Sequence, residues 1–561
     1  MVVPTAKQAL IRDSPELSML VVAPAGCGKT EALALRIAGL IKRDQVRRPR
    51  RILVVTFSKR ARDNIRERLK YYVDSRKLQD MVTIANFHGL AARIVRAHGN
   101  VIGVEADAAL PDSDWVAAEC RLRGLGYDRT DDVRRVLRNT KLQPFTDEEV
   151  LHSLREHGDT IAESIEFKRR EEGRLTYEDL LRHAEVILQN ESVADIYAQH
   201  FECVVVDEFQ DLTLQQLRLV RSIGGDKVTF AGDLAQGIYS FSGAAPNDVY
   251  ESILEYAEKQ IVFAESHRSS PAVLELVNAL RNFTGGEHLT CAAPEAWSEN
   301  GLAGVASFTT TETEAQWVYK FAAYVLERAP THRVGVICRT AGRRRFVDEA
   351  FKAGSLPWHR WDDPLLDRET ANATRRILSD LKRTSWQRAE NPTEFLMNMA
   401  DAEALHDPDT RTSLREALEW VHDELLRGAE ATDLLARIKV GDSSAFISAP
   451  GVHLLSGHAG KGQQFDWVCV VGAEEGVLPF FKATSSEELA EEARVLSVMI
   501  SRARHGALVL HSKSVADSYG RTRSKDASRF ASSLKNAPLC RSGSAIVEWL
   551  KAADWQKISA N

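Results

Sequence analysis

The feature that most constrains the fold is a glycine-bearing loop near the N-terminus. Residues 23–30 read Ala-Pro-Ala-Gly-Cys-Gly-Lys-Thr and directly follow the apolar run 17–22. A strand, such a loop and a helix opening at Thr30 present backbone N–H groups and a helix N-terminus to a polyphosphate. Lys29 can then reach the terminal phosphates, and the Thr30 hydroxyl can hold Mg²⁺. We therefore expect a nucleoside triphosphate site on an α/β domain.

Length and composition limit the class of protein. The chain has 561 residues, 44% of them hydrophobic, and a net charge of −6. Several domains are expected at this length, and no apolar stretch reaches the ~20 residues that cross a bilayer, so we expect no membrane partner. The seven cysteines lack paired spacing, which is typical of reduced thiols in a cytoplasmic protein. Because the net charge is negative, any contact with nucleic-acid phosphates has to come from a local groove.

Strand-like apolar runs occur in two sets, one in each half of the chain. They are 18–23, 52–57, 203–207 and 228–232 in the first set, and 304–308, 333–338, 452–456, 467–471 and 507–511 in the second. Helical stretches lie between these runs, and this alternation indicates parallel sheets covered by helices. Two long segments with a helical pattern interrupt the sets. The sequence therefore predicts an α/β protein with two parallel-sheet domains, each interrupted by an all-α insertion.

The predicted boundaries follow from this alternation. They are 1–88 and 200–262 for the first α/β domain, 89–199 for its helical insertion, 263–384 and 443–530 for the second α/β domain, 385–442 for a smaller helical insertion, and 531–561 for a C-terminal tail.

Two carboxylates end one of the apolar runs. The sequence Val204-Val-Val-Asp-Glu208 places Asp207 and Glu208 at the carboxyl edge of the sheet, where open α/β sheets bind ligands. Asp207 can hold Mg²⁺ together with Thr30, and Glu208 can orient and deprotonate an attacking water. With Lys29, this pair supplies the positioning and charge neutralisation that phosphoryl transfer needs. Capping of the next helix is the alternative, which the apolar run and the upstream loop disfavour.

A polar and aromatic segment follows the next predicted strand. Gln236 lies close to the sheet edge and can bond a γ-phosphate, and Tyr239 and Phe241 follow within five residues. Stacking on such rings contributes ~1–3 kcal/mol per base and tolerates any sequence. Core packing of the two rings is the alternative. One element that touches phosphate and bases couples hydrolysis to nucleic-acid binding.

Taken together, these stretches resemble the UvrD/Rep/PcrA group of superfamily 1 DNA helicases. The resemblance covers about residues 4–511. The motifs that carry it are Gln8, the phosphate loop, Thr56-Phe-Ser-Lys-Arg-Ala61, Asp207-Glu-Phe-Gln-Asp211, Gly232-Asp-Leu-Ala-Gln-Gly-Ile-Tyr-Ser-Phe-Ser-Gly-Ala244, Ser266-His-Arg-Ser269, Val336-Ile-Cys-Arg-Thr340, His458-Ala-Gly-Lys-Gly-Gln-Gln-Phe-Asp466, Glu474-Glu-Gly-Val-Leu-Pro479, Glu491-Glu-Ala-Arg494 and Ile500-Ser-Arg-Ala-Arg504.

The resemblance implies two RecA-like domains and an ATP- and Mg²⁺-dependent helicase moving 3′→5′ on single-stranded or 3′-tailed DNA. The catalytic residues implied are Lys29, Asp207, Glu208, Gln236, Arg268 and Arg502, with both arginines reaching the γ-phosphate from the second α/β domain. The ATP-binding residues implied are Gln8, Ala23, Pro24, Ala25, Gly26, Cys27, Gly28, Lys29, Thr30, His267 and Gln464, and Thr30 and Asp207 are the metal ligands. The DNA-binding residues implied are Phe57, Lys59, Phe87, Tyr239, Phe241, Arg339 and His458.

The chain also departs from the family pattern. Ala85 stands where the family has a histidine that touches DNA, His267 replaces a tyrosine, and Gln464 replaces a glutamate. Glu31 stands where relatives such as PcrA carry an arginine. The second helical insertion is much reduced, a feature that resembles the helicase subunit of the Gabija antiphage system and suggests a partner protein such as a nuclease.

Three functions remain open at this point. The first is an ATP-dependent translocase that separates DNA strands, which the full set of motifs favours. The second is a DNA-stimulated motor or sensor subunit of a nuclease or antiphage complex with little unwinding of its own. The third is a nucleotide-gated DNA clamp with negligible turnover, motivated by the departures at Ala85, His267 and Gln464.

Overall fold

The chain divides into two units that are described separately. The computed structural model describes residues 4–57, 59–105, 115–240, 243–361, 365–366, 368–381, 392–399, 414, 417–418, 420–422, 424–425, 429–440, 448–459, 461–516 and 521–560. Residues 1–269, 277–293 and 485–497 make up the first unit. Residues 270–276, 294–484 and 498–561 make up the second.

The first unit is built on a parallel sheet that positions the phosphate loop. Its six described strands are β1 (Met19–Val22), β2 (Arg51–Thr56), β3 (Val82–Asn86), β4 (Phe201–Asp207), β5 (Val228–Gly232) and β6 (Lys259–Val262). They lie side by side in the order β3-β2-β4-β5-β1-β6, and all neighbours are parallel. β1 and β5 are buried along their whole length, as expected of strands covered on both faces. The ends of β4, β5 and β1 therefore meet at one edge.

Helices cover this sheet and form the first insertion. They are α1 (Ala6–Asp13), α2 (Lys29–Lys42), α3 (Lys59–Leu69), α4 (Ser75–Met81), α5 (Phe87–His98), α6 (Trp115–Leu122), α7 (Tyr127–Lys141), α8 (Asp147–His157), α9 (Thr160–Glu171), α10 (Tyr177–Leu188), α11 (Glu191–His200), α12 (Leu214–Gly224) and α13 (Pro246–Leu254). Helices α5 to α11 lie between β3 and β4 in the chain, and the described residues there include no strand. Capping boxes at Thr146 and Thr176 fix the starts of α8 and α10 because each satisfies free backbone amides. The described residues of 89–199 are therefore mostly helical, and the assignment of this range as one insertion stays a prediction.

The remaining elements follow along the chain. The strands are β7 (Glu265–Ser266), β8 (Thr290–Cys291), β9 (Leu302–Phe308), β10 (Arg333–Cys338), β11 (Trp358–Arg360), β12 (Leu365–Leu366), β13 (Lys439–Val440), β14 (Gly451–Ser456), β15 (Phe465–Val471), β16 (Ala503–Ser512), β17 (Ser514–Ala516), β18 (Thr522–Ser524) and β19 (Cys540–Arg541). The helices are α14 (Pro271–Asn278), α15 (Arg281–Thr284), α16 (Thr311–Arg328), α17 (Ala341–Ala353), α18 (Arg368–Asp380), α19 (Pro392–Met399), α20 (Ala431–Arg437), α21 (Ser486–Ser501), α22 (Ala531–Lys535), α23 (Ser544–Ala552) and α24 (Trp555–Ala560).

The second unit contains its own parallel sheet. Its described strands run in the order β11-β14-β10-β15-β16-β9-β19, and every pairing between them is parallel. Trp467 on β15 is fully buried in the core of this unit. The α/β architecture predicted from the two sets of apolar runs is confirmed. It corresponds to two RecA-like domains.

Two predicted boundaries differ from the structure. Residues 531–561, predicted as a tail, supply β19, which pairs with β9, and α23, whose Ile546 and Trp549 are buried in the core of the second unit. The compact cluster that contains Leu396 and Leu434 also includes Ala371 and Ile377 of α18. The second insertion therefore starts before the predicted residue 385. Its part between 382 and 391 lies outside the described residues.

Candidate active site

The phosphate loop joins β1 to α2 at the carboxyl edge of the first sheet. The amide of Ala23 donates to the carbonyl of Gly232 at 2.8 Å, which ties the start of the loop to the end of β5. Gly26 and Gly28 have φ of +83° and +82°, a left-handed conformation that glycine adopts without strain. No side chain in the described part of the chain caps α2. Its first amides are therefore available to an anion.

A segment from beyond β6 packs directly on this loop. The amide of His267 donates to the carbonyl of Gly26 at 3.0 Å. A Cβ on Gly26 would lie 2.6 Å from the Cβ of Arg268 and from Oγ of Ser266. This close approach needs glycine at position 26. It also brings His267 and Arg268 to the phosphate loop, as predicted for the nucleotide site.

Arg268 lies in the first unit, so the prediction that it belongs to the second α/β domain is wrong. The boundary predicted after residue 262 falls too early because the segment 265–269 docks on the phosphate loop. Burial lowers the pKa of Arg268, and the charges of Cys27 and Glu208 act in the opposite direction. A guanidinium in this position can neutralise the phosphate that the loop holds.

Gln8 lies on the other side of the loop. Its Oε1 accepts from the amide of Thr5 at 3.0 Å as part of the capping box of α1. Its Nε2 lies 2.8 Å from the position of a Cβ on Gly28. The side chain is 5% exposed. Gln8 therefore presents its amide donor at the phosphate loop.

Lys29 forms a buried cluster with the two carboxylates that end β4. Its Nζ lies 2.5 Å from Oε2 of Glu208 and 3.4 Å from Oδ1 of Asp207. Burial by itself disfavours the charged ammonium, but Glu208 and Asp207 outweigh it, and the pKa of Lys29 is raised. Burial also raises the pKa of Asp207, and Lys29 offsets part of that rise. The phosphate-binding lysine and the carboxylates predicted for catalysis are therefore brought together.

Asp207 has the properties of a metal ligand. Its Oδ1 is buried, and the nearest cation is the Lys29 ammonium at 3.4 Å. Because Lys29 lies closer to Glu208, a second cation on Asp207 would reduce the cost of burying this carboxylate. Thr30, in the first turn of α2, is partly buried. Oxygen donors of this kind are what Mg²⁺ prefers, so Asp207 and Thr30 fit the predicted metal role.

A series of hydrogen bonds connects the carboxylate of Glu208 to the residues that follow the next strand. Nε2 of Gln210 donates to Oε2 of Glu208 at 2.5 Å, and Oε1 of Gln210 accepts from the amide of Asp233 at 3.0 Å. Oδ2 of Asp233 in turn accepts from Nε2 of Gln236 at 2.8 Å. The two residues predicted to act on the γ-phosphate and the water, Gln236 and Glu208, are thus mechanically linked. Sequence reasoning missed Gln210 as this link, although it lies within the Asp207–Asp211 motif.

The backbone next to these hydrogen bonds is tightly constrained. Glu208 has a φ of +60°, an unfavourable conformation for a residue with a side chain that costs on the order of 1–3 kcal/mol. A Cβ on Gly232 would lie 2.2 Å from Oε1 of Gln210. Only glycine at the end of β5 allows Gln210 to reach Asp233.

Two of the predicted base-contacting aromatics stack on each other. The rings of Phe57 and Tyr239 lie 5.7 Å apart at 14°, and Phe57 is 42% exposed. Phe57 follows β2, and Tyr239 lies three residues after Gln236. Phe87 is 2% exposed in the core of the first unit, so its predicted contact with DNA is wrong. Phe241 and the side chain of Lys59 lie outside the described residues.

In the second unit, a further group predicted to bind DNA comes together. NH1 of Arg339 lies 3.3 Å from Nδ1 of His458. The Arg339 guanidinium also lies 5.4 Å from the ring centre of Phe480, which is 4.5 Å from that of Phe481. Phe481 is 66% exposed. Sequence reasoning missed these two phenylalanines, which directly follow the Glu474–Pro479 motif.

Arg502 and Gln464 lie in the second unit. The Arg502 side chain is 2% exposed and donates to the carbonyls of Ala459 and Gly457 at 2.7 and 2.8 Å. Gln464 is partly exposed just before β15. Their predicted roles at the nucleotide remain predictions.

Comparison with known proteins gives a consistent result. The family model described as the UvrD/REP helicase N-terminal domain matches residues 4–256, and that of the UvrD-like helicase C-terminal domain matches residues 366–514. Together they cover more than half of the chain. The chain belongs to the UvrD-like superfamily 1 helicases.

Individual relatives agree with this family. The chain is 28% identical to the ATP-dependent DNA helicase UvrD2 of Mycobacterium tuberculosis over 93% of its own length and 80% of the relative. It is 24% identical to the ATP-dependent DNA helicase PcrA of Leuconostoc citreum over 94% and 84% of the two chains. It is also 24% identical to DNA helicase II of Escherichia coli K12 over 87% and 82%. This UvrD-like protein is an ATP-hydrolysing DNA helicase.

His332, Asp466 and His505 present ligand atoms within 4.8 Å of one another. Trp467 Nε1 donates to Nδ1 of His332 at 3.2 Å, and the same imidazole hydrogen-bonds to the backbone of Ile558. Both nitrogens of His332 are thus engaged, and the cluster is a packing feature. Within the described ranges, no helix of the helicase is long and apolar enough to span a membrane.

Proposed function

We propose that this helicase moves 3′→5′ along single-stranded DNA and couples each cycle of Mg²⁺-dependent ATP hydrolysis to movement and strand separation. The observation that carries this proposal is the hydrogen-bonded chain from Glu208 through Gln210 and Asp233 to Gln236. Three residues further on, Tyr239 stacks on the exposed Phe57. One continuous element thus responds to phosphate at one end and presents aromatic rings at the other.

The chemistry follows from the carboxylates and cations of the first unit. Thr30 and Asp207 would hold Mg²⁺, which would supply neutralisation of the phosphate charge. Lys29 is paired with Glu208, and incoming phosphates compete for its ammonium. Once Lys29 turns to phosphate, Glu208 is released to orient the attacking water and accept its proton. ATP binding therefore switches on its own general base.

The arginines add charge at the phosphates. Arg268 lies against the phosphate loop, where its guanidinium stabilises the charge of the transition state. Arg502 is assigned the same role from the second unit, and its fork of five N–H donors allows it to hold backbone carbonyls and a phosphate. Arg339, His458 and the exposed Phe481 offer the DNA a second contact in that unit. We also assign the helicase to the cytoplasm, with its seven cysteines free.

Steady-state ATP hydrolysis with and without a single-stranded oligonucleotide is the first test. We expect DNA to stimulate the wild type several-fold and Glu208→Gln to abolish turnover while ATP still binds. Duplexes with a 3′ or a 5′ tail then test polarity, and unwinding of the 5′-tailed substrate alone would contradict it. A wild type that hydrolyses ATP without any response to DNA would contradict the coupling.

A second function is favoured by the compact second insertion, whose described core lies within residues 371–438. In this alternative, the helicase is a DNA-stimulated motor or sensor subunit of a nuclease or antiphage complex. Stimulated hydrolysis without unwinding of either tailed duplex would select it. Unwinding by the isolated chain would exclude it.

A further inference from the structure

An acidic side chain occupies the first turn of α2, directly after the phosphate-binding Lys29 and Thr30. Oε2 of Glu31 lies 3.1 Å from Nε of Arg68, and the hydroxyl of Tyr72 donates to the same carboxylate. We name these three residues the Glu31 clamp. The Glu31 side chain is 14% exposed. The clamp ties the end of α3 and the turn after it to the start of the phosphate-binding helix.

The charges of the clamp suit a position beside a nucleotide. A carboxylate in the first turn is stabilised by the partial positive charge of the helix N-terminus. Alone, however, it would repel the triphosphate that the same N-terminus binds. Arg68 neutralises it, and its guanidinium lies 6.0 Å from the ring centre of Tyr71. The position of Arg68 on α3 therefore decides how much of the Glu31 charge is balanced beside the phosphate loop.

The other end of α3 lies next to the aromatic pair. The helix begins at Lys59, two residues after Phe57, whose ring stacks on Tyr239. Ile65 and Leu69 anchor α3 because both are fully buried. An α-helix of this length spans about 16 Å. α3 therefore connects the region next to Phe57 with Arg68 of the clamp.

We propose that Glu31 is a positioning residue that couples DNA binding at Phe57 and Tyr239 to nucleotide affinity at the phosphate loop, through Arg68 and α3. The inference rests on the proposed DNA-coupled ATPase. It adds a second route between the two sites, separate from the chain through Gln210. Because such coupling is reciprocal, ATP must change DNA affinity by the factor by which DNA changes ATP affinity.

The test is the affinity of a fluorescent oligo(dT), measured with and without a non-hydrolysable ATP analogue and Mg²⁺. Coupling factors of this kind are typically about 5–150-fold. We expect the coupling factor to fall several-fold in Glu31→Ala and Arg68→Ala but to stay above one, because the chain through Gln210 is intact in both variants. The double variant should match the single ones, because both remove the same interaction. Arg68→Lys, which keeps the charge, should recover part of the factor.

Two further variants complete the design. Lys70 directly follows α3 and pairs with the exposed Glu67 instead of with Glu31. Lys70→Ala should therefore keep the wild-type coupling factor. Tyr72→Phe removes only one hydroxyl of the clamp, so it can test the clamp if Glu31→Ala fails to fold. It should reduce the factor without abolishing it.

The outcomes separate the clamp from the proposed function. Wild-type coupling factors in the folded Glu31, Arg68 and Tyr72 variants would overturn the clamp and leave the DNA-coupled ATPase intact. A wild type with no DNA-stimulated hydrolysis and no coupling factor would overturn both. A loss of coupling confined to the clamp variants supports the inference.

Discussion

Two buried charge clusters in the first unit, one in the helical insertion and one at the phosphate loop, are balanced in opposite ways. The insertion cluster consists of three cations and three carboxylates: Lys141, Arg169, Arg182, Asp147, Glu166 and Asp179. Lys141 lies 2.7 Å from Glu166 and 2.9 Å from Asp179. Burial alone would raise the pKa of Asp179, but Lys141 and the two arginines hold it well below its usual range.

The phosphate-loop cluster has too few cations for its carboxylates. Lys29 contacts both Asp207 and Glu208, and Asp233 is joined to them through Gln210. Burial raises the pKa of Asp207 and of Asp233. The cations and carboxylates of the insertion cluster are therefore equal in number, whereas the phosphate-loop cluster has more carboxylates than cations. Buried charge that is not neutralised internally marks the functional site.

The largest effect is expected for Lys29→Ala. Loss of the ammonium removes a contact that strengthens as charge develops on the phosphate. The rate of ATP hydrolysis should fall by about 10²–10³, as for other electrostatic donors at reacting centres. The measurement is the steady-state rate with saturating single-stranded DNA. Lys42→Ala, exposed at the other end of α2, is the matched control and should be unchanged. Equal rates for the two variants would refute the assignment of Lys29.

The same substitution in each cluster tests the comparison directly. Asp179→Asn removes the carboxylate shared by Lys141, Arg169 and Arg182. Three buried cations are then left with two carboxylates, so the variant should destabilise the insertion by about 3–5 kcal/mol. Asp207→Asn removes a carboxylate whose pKa is already raised, so the local stability of the ligand-free protein should be unchanged or higher. Its hydrolysis should nevertheless be lost, because a metal ligand is missing.

Hydrogen exchange resolves these local stabilities. Amides of α9 and α10 should lose protection in Asp179→Asn, and amides of β4 should keep it in Asp207→Asn. A large loss of protection around β4 in Asp207→Asn would mean that the phosphate-loop cluster is as complete as the insertion cluster.

The third effect concerns the link between Glu208 and Gln236. Gln210→Met keeps the volume but removes both hydrogen bonds of the Gln210 amide. We expect kcat to fall by roughly tenfold with little change in KM, since the link acts on the transition state more than on ATP binding. Gln260→Met, an exposed glutamine on β6, is the control. A rise in KM at constant kcat would show that Gln210 serves nucleotide binding instead.

The phosphate-loop cluster could be predicted from the sequence far better than the insertion cluster. Asp207 ends β4, and Gly26 and Lys29 lie in the loop and the first helical turn that follow β1. The carboxyl ends of parallel strands meet at one edge whatever the details of packing. Lys141, Glu166 and Asp179 lie on three different helices. Their pairing depends on how those helices pack, which their own periodicity does not determine.

Other errors have a similar origin. The family resemblance implies that Phe87 contacts DNA, but Phe87 starts α5 on the side that faces the core. Residues 531–560 look weakly patterned because β19 is only two residues long. A strand that short carries no alternation, and only pairing with β9 reveals it.

Mild acidification should have the smallest effect on ATP hydrolysis. It should change the phosphate-loop cluster at a higher pH than the insertion cluster. Because their pKa values are raised, Asp207 and Asp233 take up protons in the folded protein at pH values above ~3.9, the ordinary pKa of an aspartate. These two groups therefore stabilise the folded protein as the pH falls. Their protonation weakens Mg²⁺ binding, and hydrolysis declines.

Asp147 and Asp179, in the insertion cluster, have lowered pKa values. They contribute stability above ~3.9 and lose it only at lower pH. Activity should therefore fade reversibly, by a few-fold, at a pH where α9 and α10 keep their exchange protection. Added Mg²⁺ should move that midpoint to lower pH, because the metal competes with protons for Asp207. Loss of activity and of protection at the same pH would show that unfolding, and not titration of the phosphate-loop cluster, limits the enzyme in acid.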